Sequence, residues 1–312
     1  MKSLTKKGYE LLGPGIYHNI PAEHYFDLPY VSNSYLKKMD LCPAAAKVEL
    51  DNEDTKARIF GRAAHTMTLE GDDAFNSEFI VLPEDCPKKP SPETLMRVDW
   101  WHRFMMNSNG KTIVSRDDYD LLRGLRNSVK SHPFGKMLLA EGVSETTVIF
   151  DVKIGGMIIR CKCRPDRTPS VAMATLIDLK STMNAAYDSF LRDAIKYGYI
   201  QQGAFYIDGY NSVRHLPMKR NANGVWEHDK KAPIAPEMDA FAFIAVEKKA
   251  PFRCEVYTVD RDFFMFGRGQ YERLLKLEVT CRTTRHPEDG ELGYWPNYVN
   301  AGAEDLIKPS WL

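Results

Sequence analysis

The chain contains no Cys-x-x-Cys pair, and its six cysteines (Cys42, Cys86, Cys161, Cys163, Cys254, Cys281) are scattered over 312 residues. Such spacing does not describe a disulfide scaffold and offers no cysteine set for zinc or an iron–sulfur cluster, so reduced packing cysteines are expected. Long apolar runs are missing as well. None approaches the ~20 residues needed to cross a bilayer. The opening MKSLTKKGYELLGPG lacks the apolar core of a signal peptide. A cytoplasmic protein without membrane contact is the expectation. Internal repeats and low-complexity segments are absent, and so is any charge imbalance, because 42 basic residues meet 42 acidic ones. A zero sum argues neither for nor against nucleic acid, since a local basic surface can hide within it. The segment IIRCKCRPDR, 158–167, sets Arg160, Lys162, Arg164 and Arg167 against Asp166 alone. Taken by itself it reads equally well as a solvated strand edge.

What is present is an ordinary globular composition, 44% hydrophobic and 27% charged, long enough for a substantial core. Ser32 or Ser34 can cap a helix through YLKKMDL ahead of Pro43. Further helices are expected at about 56–69, over 91–109, and after Ser115 through RDDYDLLRGLRNSVK. The character changes after residue 140. Runs rich in β-branched residues at 145–152, 157–164 and 173–181 read as strands, with Gly155-Gly156 as a hairpin turn. Helical patterns return at 186–197 and 199–210, and the polar stretch 211–237 reads as a loop. Strands at 240–247 and 253–259 precede a helix from about Asp260 to Val279. The sum is an α/β fold: a central mixed sheet of about five strands flanked by helices, with a helical N-terminal elaboration. One domain, 1–312, is expected, made of a mainly helical 1–140, an α/β core 141–285 and an irregular tail 286–312.

Chemistry concentrates in TLIDLKST, 175–182. Strand side chains alternate between faces, so Asp178 and Lys180 share one face while Thr175, Ile177 and Leu179 share the other. A carboxylate and an ammonium in an apolar strand are costly to bury unless paired or bound to a metal. Asp166 follows the preceding strand in RPD. If the two strands are neighbours, both carboxylates and a backbone carbonyl, that of Leu179, form a hard oxygen site suited to Mg²⁺ or Mn²⁺. Lys180 beside it can orient water and balance negative charge. The alternative is an exposed edge ion pair worth ~0–1 kcal/mol. In Gly61-Arg62-Ala63-Ala64-His65, Gly61 and His65 share a helix face, and a small-residue helix can approach the sheet and aim His65 at it. A structural histidine is the competing reading. Gln202 and Tyr206 also share a helix face, as hydrogen-bond donors to phosphates or bases or as packing groups.

The ordered set G-x-x-x-H, RPD, D-x-K and Q-x-x-x-Y resembles the PD-(D/E)xK nuclease superfamily in its RecB-like branch, nearest to the exodeoxyribonuclease VIII (RecE-type) nuclease domain. The opening GIYHNIPAEHYFDLPYVSNSYLKKMDLCPAAAK and the tail WPNYVN…PSWL resemble the two ends of that domain. The resemblance implies that Asp166 and Asp178 are metal ligands, Lys180 is the catalytic lysine, His65 helps to hold the metal or its water, and Gln202 and Tyr206 lie near DNA. Glu145 is a further candidate ligand, ranked lower. Asp178 stands where the family often has the longer Glu. By the same resemblance, a Mg²⁺-dependent exonuclease would degrade the 5′-ended strand of linear duplex DNA. The 3′ single-stranded tails left behind would go to a RecT-type annealing protein. A homo-oligomer, possibly ring-shaped in that family, is implied too. Arg62, Arg160, Lys162 and Arg164 are candidates to grip the DNA backbone. An endonuclease, a single-strand-specific nuclease or a non-catalytic DNA-binding relative remain the alternatives.

Overall fold

The computed structural model describes residues 4–48, 55–88, 91, 95, 98–168 and 173–298. After β1 (Gly15–Tyr17) come α1 (Ala22–Asp27) and α2 (Asn33–Leu41). Ser32 caps α2, its hydroxyl accepting the Tyr35 N–H at 3.2 Å. Thr55 does the same for α3 (Lys56–His65), which runs on through one π-helical turn to Glu70. There follow α4 (Asp72–Glu78), β2 (Phe79–Val81), α5 (Asp99–Asn107), β3 (Thr112–Val114), α6 (Arg116–Ser131) and α7 (Pro133–Ala140). The helix expected over 91–109 is thus seen as α5, and 92–94, 96 and 97 lie outside the described residues.

The second part contains β4 (Val143–Ser144), β5 (Thr147–Ile154), β6 (Met157–Cys163), β7 (Arg167–Thr168) and β8 (Thr175–Thr182). Two helices follow, α8 (Tyr187–Lys196) and α9 (Tyr199–Val213). The segment read as a loop holds a small hairpin, β9 (Met218–Arg220) with β10 (Trp226–His228). The fold closes with β11 (Ala240–Glu247), β12 (Cys254–Thr258) and α10 (Arg261–Thr283). No helix among the described residues is long and apolar enough to cross a membrane.

A five-stranded mixed sheet, in the order β12-β11-β8-β7-β4, organises the molecule. Its parallel centre pairs β8 with β11 through eight residues, from Thr175 opposite Ala240 to Thr182 opposite Glu247. Gly155 and Gly156 turn the β5–β6 hairpin with φ of +53° and +83°. The neighbour of β8 differs from the expected one. The hairpin pairs with β1 as a separate three-stranded sheet, and β8 meets the two-residue β7 instead. Pro165 explains the break: lacking an N–H, it cannot continue the β6 ladder, and the chain leaves one sheet for the other.

Both faces of β8 and β11 are covered, which is why AFAFIAVE and most of TLIDLKST are apolar. On one face Leu176 packs with Phe205, Phe241 and Phe243; on the other, Ile177 and Leu179 pack with Leu122, Leu125 and Ile244. Each such side chain contributes about 1.5–3 kcal/mol on burial. Helix α9 lies close to β5, so that a Cβ on Gly209 would stand 2.4 Å from the Phe150 ring. At the far end of α10, the buried Glu278 accepts hydrogen bonds from Tyr35 (2.8 Å), Arg282 (2.8 Å) and Trp295 (3.2 Å). That hub ties α2 and the segment after α10 to the core; 299–312 lie outside the described residues.

Candidate metal centre

The site begins where strand pairing stops. Among the residues of β8, β7 pairs only with Ile177, so the outer edge of β8 is open beyond it. There the Leu179 N–H donates to Asp166 Oδ2 at 2.7 Å. N–H and C=O of one strand residue point the same way, so the Leu179 carbonyl faces this edge too. His65 Nδ1 lies 3.4 Å from Asp166 Oδ2. Helix α3 brings the histidine in through Ala63 and Ala64, both buried. Gly61 does not serve that approach, contrary to expectation: a Cβ there would meet nothing within 4 Å.

Glu145 sits between β4 and β5 at φ +54°, a left-handed conformation costing roughly 1–2 kcal/mol for a non-glycine residue. Its N–H donates to the Asp166 carbonyl at 3.1 Å. The kink brings its side chain inward, and one ligand atom each from His65, Glu145 and Asp166 lie within 4.8 Å of one another. Arg164 Nε is 2.6 Å from Glu145 Oε2.

Asp178, 1% exposed, faces α9. Its Oδ1 accepts a short hydrogen bond from the Gln202 amide. The Lys180 ammonium lies 2.6 Å from Oδ2, out of line for a hydrogen bond, and donates to Gln202 Oε1 at 3.1 Å. It also sits 4.5 Å from the centre of the Tyr199 ring. Glu145, rather than Asp178, therefore completes the close set around Asp166 and His65. Asp178 stands behind it, held by Lys180 and Gln202.

The electrostatics are those of crowded acids. Burial, and then the charge of Asp178, raise Asp166 well above the carboxylate range. Burial and Asp166 push Glu145 up to about 7. Burial lowers His65, leaving its ring neutral and able to ligate. Burial also works against the charge on Lys180, but Asp178 and Asp166 outweigh it and hold that ammonium protonated. A dication among these oxygens would relieve the repulsion that otherwise favours protons. Carboxylates, a carbonyl and one imidazole, with no thiolate among them, form a donor set that fits Mg²⁺ or Mn²⁺.

Residues 32–294 match the family described as a PDDEXK-like domain of unknown function (DUF3799). The chain belongs to this PDDEXK-like family. No curated protein matches it. Among solved structures, it is similar to a protein named as a putative exonuclease from Eubacterium rectale. The two share 14% identity with a TM-score of 0.51, over 85% of this chain and 88% of that one. A further structure, named SSO0001, covers 72% of this chain and 87% of its own at 12% identity, but its TM-score of 0.29 carries no argument. The first likeness shows a shared fold; membership in a PDDEXK-like family supports a nuclease.

The basic residues expected to grip DNA all have partners within this PDDEXK-like domain. Lys162 is the clearest correction. Its ammonium is buried and donates to the carbonyls of Tyr25 (2.7 Å), Phe26 (3.2 Å) and Leu28 (2.6 Å), closing the C-terminal end of α1. Burial pushes its pKa down to about 8. Arg160 forms a bidentate pair with Asp151 across the hairpin, at 2.7 and 2.9 Å. Arg62 joins α3 to its neighbours through Glu78 (2.7 Å) and Thr112 (2.9 Å). Arg164 lies at the centre, but as the partner of Glu145. Tyr206, one turn beyond Gln202, packs against Phe205 and Phe241, and burial raises its pKa well above the ordinary value. Sequence reasoning passed over Tyr199, three residues before Gln202 and so on its helix face.

Proposed function

We propose that the protein is a divalent-metal-dependent exodeoxyribonuclease acting on the ends of linear duplex DNA, with Mg²⁺ as cofactor and Mn²⁺ able to substitute. One observation carries this reading: His65, Glu145 and Asp166 converge within 4.8 Å beside a buried Asp178–Lys180 pair. Asp166, Glu145 and His65 would hold the cation, with the Leu179 carbonyl and Asp178 behind them. When bound, it supplies Lewis acidity at a phosphate oxygen and a water of lowered pKa. Lys180, kept protonated by two carboxylates, orients the attacking water and balances charge developing on the phosphate. Gln202 fixes Lys180 and Asp178 relative to each other through both ends of its amide. Arg164 restrains Glu145.

The resemblance to the RecE-type domain supports the finer reading. In it, the 5′-ended strand is degraded, the 3′ tails go to a RecT-type annealing protein in recombination, and the chain works as a homo-oligomer, possibly a ring. Incubating linear and closed circular duplexes with Mg²⁺, Mn²⁺ or EDTA tests it. Loss of the linear form alone, and only with metal, is expected. Nicking of the circle would make the protein an endonuclease, and two unchanged substrates would leave a DNA-binding relative.

A further inference from the structure

We propose that Lys37, on α2, binds a backbone phosphate of the DNA strand adjoining the metal centre; this rests on the nuclease reading above. No described residue forms a hydrogen bond or an ion pair with the Lys37 ammonium. Other cations of the centre are matched: Lys180 to Asp178, Arg164 to Glu145. The side chain is half-buried and is not loose. Its stem lies along Gly198, whose φ of +64° marks the left-handed turn between α8 and α9, and a Cβ there would stand 3.5 Å from Lys37 Cγ and Cδ. That turn leads directly into Tyr199, the residue whose ring flanks Lys180. Lys37 is thereby held beside the Asp178–Lys180 end of the centre. Burial, then the like charge of Lys180, lower its pKa, with Asp178 opposing.

A partly desolvated ammonium without a counter-ion is unfavourable in the protein alone. Next to a second lysine it is worse. Both conditions reverse when an anion arrives, and a polynucleotide places a phosphate at every nucleotide. Tyr197, 42% exposed, and Lys196 continue the same edge. Aromatic and basic groups alternate there, as suits a strand whose bases stack while its phosphates are neutralised.

The readout is the salt dependence of binding. One phosphate contact by a lysine contributes about 0.7–0.9 to the slope of log K against log[salt]. Fluorescence anisotropy with labelled single-stranded and duplex oligonucleotides would be measured from 50 to 200 mM KCl, with Ca²⁺ replacing Mg²⁺ to limit cleavage. Lys37→Gln is expected to flatten the slope by about that amount. Lys37→Arg should retain it. The melting temperature of Lys37→Gln should equal or exceed that of wild type, because an unpaired charge is removed. An unchanged slope in Lys37→Gln, with wild type binding and cleaving DNA, would overturn the assignment of Lys37 alone. A wild-type protein with no affinity for DNA would overturn the nuclease reading and this inference together.

Discussion

Asp178 accepts the Gln202 amide on one oxygen and faces the Lys180 ammonium with the other, so shape and charge can be tested separately there. Asp178→Asn is nearly isosteric and removes the charge, keeping one acceptor for the Gln202 amide while turning an NH2 toward the Lys180 ammonium; DNA cleavage should fall by about 10²-fold or more. Wild-type-like hydrolysis in a gel assay would refute a role for that carboxylate. Asp178→Ala should abolish cleavage too, but it also strands the Lys180 ammonium and should lower stability. Lys162 makes the opposite case. Lys162→Ala removes a charged donor from three carbonyls and should lose about 2–4 kcal/mol in urea denaturation. The salt slope of DNA binding should stay unchanged, because this ammonium faces backbone and not solvent. Asp178 and Lys180 stood out in the sequence because charges on an apolar strand demand an explanation, whereas Asp166 and His65 were singled out by their places after β6 and on a face of α3. Lys162 was misread for the same kind of reason: alternation on β6 looks solvated until the end of α1, over a hundred residues earlier, is seen to supply its acceptors.

Helices and strands with a clear period were readable, among them α6, β8, β11 and α10. Those too short to show a period were not. Two-residue strands such as β4 and β7 carry no pattern, yet β7 sets where the sheet edge opens and Asp166 takes over. The π-helical turn after His65 is equally silent in sequence. Glycines show the same limit. Gly61 and Gly209 both lie within helical patterns, but only the second is packed tightly. Gly61→Ala should stabilise the protein by about 0.5–1 kcal/mol, since nothing opposes the methyl group and helix propensity improves. Gly209→Ala should destabilise it by about 1–3 kcal/mol or more by forcing α9 away from Phe150. Chemical denaturation of the two variants side by side would decide; similar effects would contradict the packing described for α3 and α9.

At the scale of the whole molecule, crowded acids couple folding to pH and to metal. Between the ordinary carboxylate pKa and about 7, the unfolded chain has released its protons while folded Glu145 and Asp166 retain theirs. The folded state then binds more protons, so without a divalent cation these two groups make stability fall as pH rises through that window. The proposed Mg²⁺ would compete with the same protons, and its stabilising shift in melting temperature should grow from pH 5 to pH 8. A shift independent of pH would argue that the cation binds elsewhere. The parallel register of β8 with β11 has a different consequence. All the side chains assigned to the reaction precede residue 207, whereas the strand that braces β8 along its inner side begins only at Ala240. A ribosome that stopped in the β9–β10 hairpin would release every side chain of the proposed centre and no scaffold to aim them, so premature truncation there should yield inert, protease-sensitive product.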